Sequence, residues 1–103
     1  MSTEKVTLYS ACEEMREDAR ETFAEDPHIE DPFQRASEAA EGSENVIYTW
    51  RAIAIYADSP GDVGEYEDEY CGDGDLADRI TYCVFRALVT AWCDEWGELE
   101  GSN

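Results

Sequence analysis

Apolar residues recur at helical spacing in four stretches of this chain. In residues 7–25, Leu8, Cys12, Met15, Ala19 and Phe23 follow one another at steps of four, three, four and four, a one-sided stripe that predicts an amphipathic helix. The Asp26-Pro27 step ends it, because proline disfavours helical backbone in the residue before it. A second helix is signalled by Asp31 as cap, Pro32 in the first turn, the short stripe Phe33, Ala36 and Ala40, and Gly42 as stop. A third starts at Ser43 or Asn45 and runs to about Ala57, with Val46, Trp50, Ile53 and Ala57 on its apolar side and Tyr48 and Ile55 opposite. Ser59-Pro60-Gly61 breaks it.

The fourth stretch, Asp75 to about Trp96, is the longest and most apolar. Leu76, Ile80, Val84, Ala87 and Ala91 form one seam, and Tyr82, Phe85, Val89, Trp92 and Trp96 form a second about half a turn away. A helix apolar on nearly all sides is buried on nearly all sides. One seam can pack on the three earlier helices. The second is expected to hold a homodimer, with Trp92 and Trp96 as anchors; the other reading makes this the central helix of a small bundle. Residues 58–74, rich in glycine and acid, read as a connecting loop, and residues 97–103 as a short frayed tail. The expected fold is therefore mainly α: a single acidic domain over residues 1–103, of about four helices with a long C-terminal one.

Charge changes this picture more than any motif does. The chain carries a net charge of −19 on 103 residues, yet is 43% hydrophobic and 12% aromatic. Disordered acidic tails lack large apolar residues, so this chain folds against its own repulsion. Seven basic residues face 26 acids, so most carboxylates must point into water or at a cationic partner. Nucleic acid and anionic membrane are excluded as direct partners on Coulombic grounds. No stretch approaches the ~20 apolar residues of a membrane span, and the N-terminus lacks the apolar region of a signal peptide, so a soluble, cytoplasmic protein is expected.

Candidate chemistry is thin. The four cysteines, Cys12, Cys71, Cys83 and Cys93, include no C-x-x-C pair and read as reduced thiols. His28 is the only histidine, and no nucleophile–base arrangement or phosphate loop is present. Residues Glu67–Asp78 can be laid on the calcium-loop frame, but position 1 should be Asp, position 5 is Cys71, and position 12 should be a bidentate Glu. No enzyme activity, metal or cofactor is expected.

The acids themselves form the better constellation. Glu13, Glu17, Glu21 and Glu25 make an i, i+4 ladder on the first helix, with Glu14 and Asp18 beside it. Rungs ~6 Å apart along the axis approach the spacing of successive phosphates on one nucleic-acid strand. A second acidic strip can come from Glu38, Glu41 and Glu44 with Asp62, Glu65, Glu67, Asp68, Glu69, Asp73 and Asp75 of the loop. Such carboxylates would act as pseudo-phosphates in the basic groove of a DNA-handling protein, displacing counterions without offering a base or a scissile bond. The competing expectation is a haloadaptive acidic interaction domain, favoured by the single lysine.

From about Asp31 to Glu95 the chain resembles the Ocr anti-restriction proteins of phages, which are DNA mimics. The likeness runs through the alanine-rich helix around Ala36, Ala39 and Ala40, the aromatic helix from Val46 through Tyr48, Trp50, Ile53 and Ile55, an acidic loop, and a long helix with Val84, Phe85, Leu88 and Trp92 running into Asp94-Glu95. The resemblance implies a helical homodimer, bent like B-form DNA, that occupies the DNA groove of type I restriction–modification enzymes in an infected cell. Members of such mimic groups also block CRISPR effector complexes. Two departures stand out: Arg79 and Arg86 put positive charge on the long helix, and the acidic tail is cut short to Gly97–Asn103.

Overall fold

A computed structural model describes residues 6–70 and 72–101, apart from the side chain of Glu69. Among the described residues there are six helices and one 3-10 turn (Glu67–Glu69): α1 (Leu8–Glu25), α2 (Pro32–Glu41), α3 (Glu44–Ile47), α4 (Thr49–Asp58), α5 (Pro60–Gly64) and α6 (Leu76–Gly101). No strand occurs among the described residues, and the molecule is a slab of 41 × 40 × 21 Å.

The first two helices start where side chains satisfy their orphan N–H groups. Thr7 accepts from the Ser10 N–H while the Ser10 hydroxyl accepts from the Thr7 N–H, a reciprocal capping box. Asp31 accepts from the Gln34 N–H (3.0 Å), with Pro32 in the first turn. Both helices bury most of the predicted stripe, Cys12, Met15 and Ala19 in α1 with Ala11 beside them and Ala36 and Ala40 in α2, but Leu8 and Phe23 are only half-buried and Phe33, expected inside, is 53% exposed at the start of α2.

The predicted third helix is two helices. Tyr48 leaves the helical region (φ −97°, ψ 110°), its N–H closing α3 on the Glu44 carbonyl and its carbonyl opening α4 to the Arg51 and Ala52 N–H groups. The run Val46-Ile47-Tyr48-Thr49, β-branched or aromatic throughout, has weak helix propensity and gives way there. The break rotates the following face: Ala52 and Ile55 enter the core, while Trp50, Ile53 and Ala57, expected inside, are exposed. The expected loop at 58–74 also holds more structure than its composition suggested. Pro60 opens α5, whose Val63 is fully buried.

Helix α6 packs against all five other helices and is the axis of the fold. The chain itself covers most of both seams, although Leu76, at the first turn of the helix, is 63% exposed. Ile80, Val84, Ala87 and Ala91 are buried on one side; Val89, Trp92 and Trp96 are buried on the other. The dimer role assigned to Val89, Trp92 and Trp96 is thereby corrected: they lie in the core of one chain, and the central-helix reading holds. Tyr82 and Phe85 are half-buried, Tyr82 lying 5.5 Å from the Tyr70 ring. The Trp96 ring stacks on Trp92 (5.1 Å, 10°), meets Phe23 edge-on (5.2 Å, 72°), and donates from its indole to Glu100. These contacts carry the helix past Gly97 to Gly101, so the expected frayed tail is helical over its described part; Ser102 and Asn103 lie outside the described residues.

Candidate functional site

Each arginine of the described residues already has a partner, and this decides which carboxylates have a cation beside them. On α1, Glu13 accepts from Arg20 (2.9 Å) and Arg16 (3.3 Å), and Arg20 reaches on to Glu95 of α6 (3.3 Å). The Arg20 hydrogen bond, helped by Arg16, holds the Glu13 carboxyl below the usual carboxylate range, and the same bond raises the Arg20 guanidinium. Arg35 of α2 places Nη2 3.2 Å from both oxygens of Asp18. Arg79 pairs with Glu67, Arg51 donates to Asn45 (3.0 Å) with Glu44 at 4.0 Å, and Arg86 is also engaged. Lys5 lies outside the described residues.

Three members of the predicted set therefore change role. Glu13, Asp18 and Glu67 are held by guanidinium groups at close range and lose much of their value as pseudo-phosphates. Asp18 is a structural linchpin: it also accepts from the Trp92 indole N–H (2.9 Å), tying α1, α2 and α6 together. Replacing Asp18 by Ala leaves that N–H and Arg35 without their acceptor, and is expected to cost about 1–3 kcal/mol in urea unfolding. Asp18→Asn, which keeps an acceptor oxygen for Trp92, is expected to lose less. Equal losses for the two variants would contradict this role.

The remaining acids keep exposed positions. Glu14, Glu17, Glu21 and Glu25 stand on α1 away from Ala11, Met15 and Ala19, and Glu38 and Glu41 lie opposite Ala36 and Ala40 on α2. An open groove of about 420 Å³ runs between these helices, with Glu14, Asp18, Glu38 and Glu44 on its walls and Arg35 among them. So the structure brings α1, α2 and α3 acids to one place. Glu14 is further positioned by buried Asn45, whose amide donates to it at 3.4 Å.

Asp62 and Glu65 line a second, smaller groove of about 150 Å³, together with Arg16 and Asp94. Asp94 was not in the sequence-derived set; only the α5–α6 packing reveals it. Asp68 and Asp73 are exposed, and Asp75 accepts from the Asp78 N–H (3.0 Å) as cap of α6. The side chain of Glu69 and all of Cys71 lie outside the described residues.

His28 is exposed in the turn after α1. Cys12 and Cys83 are buried and Cys93 half-buried. Burial pushes the Cys12 thiol up against the opposing pull of Arg16, and burial with Asp94 pushes Cys93 up, the reverse of an activated nucleophile. Among the described residues no group of three His, Cys, Asp or Glu is placed to hold a metal ion, and no helix is long and apolar enough to cross a membrane. Compared with known proteins, the chain matches no family model, no curated protein and no solved structure.

Proposed function

We propose that this chain is a non-enzymatic DNA mimic that occupies the DNA-binding groove of a host defence enzyme, a type I restriction–modification or CRISPR effector complex, and so counteracts host immunity. The observation that carries the reading is the division of charge just described. Arginines are used up within the scaffold, at Glu13, Asp18, Glu67 and Asn45. Glu14, Glu17, Glu21, Glu25, Glu38 and Glu41 face outward on two helices that Asp18 and Arg35 clamp together. A stiff display of carboxylates costs little ordering on binding, whereas acids on a mobile tail must be immobilised by the target. Solubility alone requires no such register, which favours mimicry over the haloadaptive alternative.

A homodimer belongs to this reading, because a longer anionic surface matches more of a DNA groove. Val89, Trp92 and Trp96 do not serve its interface, because they fill the core of one chain.

The direct test is inhibition of DNA binding by a purified type I restriction enzyme, measured across salt concentrations. Capture is expected to weaken at least about tenfold from low to moderate salt, since the contacts are charge-on-charge and screened. Binding that ignores salt would remove the basis for mimicry and leave an apolar interaction domain as the better description.

A further inference from the structure

We propose that Asn45 is a positioning residue for target capture: it fixes the Glu14 carboxylate at the groove between α1 and α2 while keeping the cation of Arg51 off it. This role rests on the mimic reading, in which Glu14 is one of the outward acids. Asn45 is the buried polar side chain among the described residues, 1% exposed. Its Oδ1 accepts from Arg51 Nε of α4 at 3.0 Å, and its Nδ2 donates to Glu14 Oε2 of α1 at 3.4 Å. Both neighbours dictate the same amide orientation, since a guanidinium offers only donors and a carboxylate only acceptors. A single side chain of α3 thus joins α4 to α1.

The fold alone gives no reason for an amide here. A buried amide must keep its partners to avoid a desolvation cost, and an apolar side chain of similar shape would fill the space without that demand. Neither partner depends on Asn45 for solvation. Glu14 is exposed, and Arg51 is half-buried with Glu44 at 4.0 Å and the Trp50 ring at 5.6 Å.

What the amide adds is order. Glu14 shares the walls of the groove with Asp18, Glu38 and Glu44, whose like charge favours rotamers that carry a free Glu14 carboxylate away from them. The Asn45 N–H holds it in place, and the guanidinium bonded to the other end of the amide polarises that N–H into a stronger donor. A carboxylate held beforehand spares the target the ordering of a flexible side chain. A direct ion pair would also order Glu14, but would mask it, as Arg20 masks Glu13 and Arg35 masks Asp18. The neutral amide orders the acid without supplying a cation.

Asn45→Asp isolates this role. The variant side chain has the same shape and still accepts from Arg51, but it repels Glu14 where the amide held it. Net charge alone predicts tighter capture, because the variant carries one more negative charge; positioning predicts weaker capture. Capture of a purified type I restriction enzyme is measured at low salt and about pH 8, where a carboxylate beside a guanidinium is ionised. The parent, Asn45→Asp, Glu14→Gln and the double variant are compared, with urea midpoints alongside. Glu14→Gln is expected to weaken capture about fivefold, as for one exposed charge contact. Asn45→Asp is expected to weaken it about two- to fivefold in the parent background, and by less than about twofold once Glu14 is glutamine. Weakening of the same size in both backgrounds overturns the proposal, because Asn45 then acts through the fold at large. So does an Asn45→Asp variant that captures as tightly as the parent, or tighter.

A target-free measurement covers the case in which Asn45→Asp unfolds. In the NMR spectrum of isotope-labelled protein, the Asn45 side-chain amide protons should exchange slowly and should shift on Glu14→Gln. A resonance that ignores Glu14 overturns the proposal. If the resonance responds but the parent captures no enzyme, the mimic reading fails and the positioning role fails with it, while the hydrogen bond stands.

Discussion

Replacing Glu17, Glu21 and Glu25 together by glutamine is expected to weaken capture of a basic DNA-handling target about 100-fold, while leaving the fold intact or firmer. Three exposed charge contacts at roughly 1 kcal/mol each give that factor. If each acid displaces counterions from the target as a phosphate does, the dependence of log affinity on log salt should also become shallower by up to about 2.7. Stability should not suffer, because these side chains are exposed and their removal relieves self-repulsion. Glu13→Gln provides the control that the geometry dictates. Its carboxylate is already matched by Arg20 and Arg16, so its loss should loosen the α1–α6 connection through Arg20 and Glu95 yet barely change capture. Competition binding with DNA checks both variants. A triple variant that binds as the parent does, or a Glu13 variant that loses as much as the triple one, would sink the proposed division of the acids.

That division shows where sequence stops being informative. The α1 stripe is largely legible because Cys12, Met15 and Ala19 recur at helical spacing between acids, although buried Ala11 stands outside the series and exposed Tyr9 shows that an apolar residue need not join it. The boundaries of α2 are legible because Asp31, Pro32 and Gly42 act within one turn of themselves. Local rules fail at Tyr48. Apolar residues stand on both sides of the continuous helix that periodicity predicts, at Ile55 as well as at Trp50 and Ile53, so pattern alone cannot choose the inward face. The one-residue break makes the choice.

Which acids gain a guanidinium partner is only partly local: Glu13 meets Arg16 and Arg20 along α1 itself, but other pairs span the fold. Arg35 meets Asp18 across 17 positions, and Arg20 meets Glu95 across 75. Composition reports that arginines are scarce, but only the packing of α1 against α2 and α6 creates the Arg35–Asp18 and Arg20–Glu95 pairs. The α6 seam failed for a related reason. Hydrophobicity shows that Val89, Trp92 and Trp96 are buried, and is silent on whether the covering layer comes from the same chain.

Truncating Trp92 to alanine is expected to be the most damaging single change to the fold, at about 3–5 kcal/mol. The side chain is fully buried, stacks on Trp96, and donates to Asp18. Domains of this kind rarely hold more than about 5–15 kcal/mol in total, and here self-repulsion already draws on that reserve. The variant should therefore be largely unfolded at low salt and recover helix content as salt screens the carboxylates. Trp92→Phe keeps a ring for the stack but removes the indole donor, and should fall between parent and alanine variant in urea midpoint. The outcome bears on function as well as stability. Asp18 is the point where the Trp92 hydrogen bond and the Arg35 clamp converge, so loss of the indole frees α1 to shift against α2 and disperses the acids those helices present. A Trp92→Phe variant that remains folded yet captures its target less tightly would show this coupling. Should Trp92→Ala instead leave the urea midpoint unchanged and only abolish dimerisation, the seam would be an interface after all, and the central-helix account of α6 would fall.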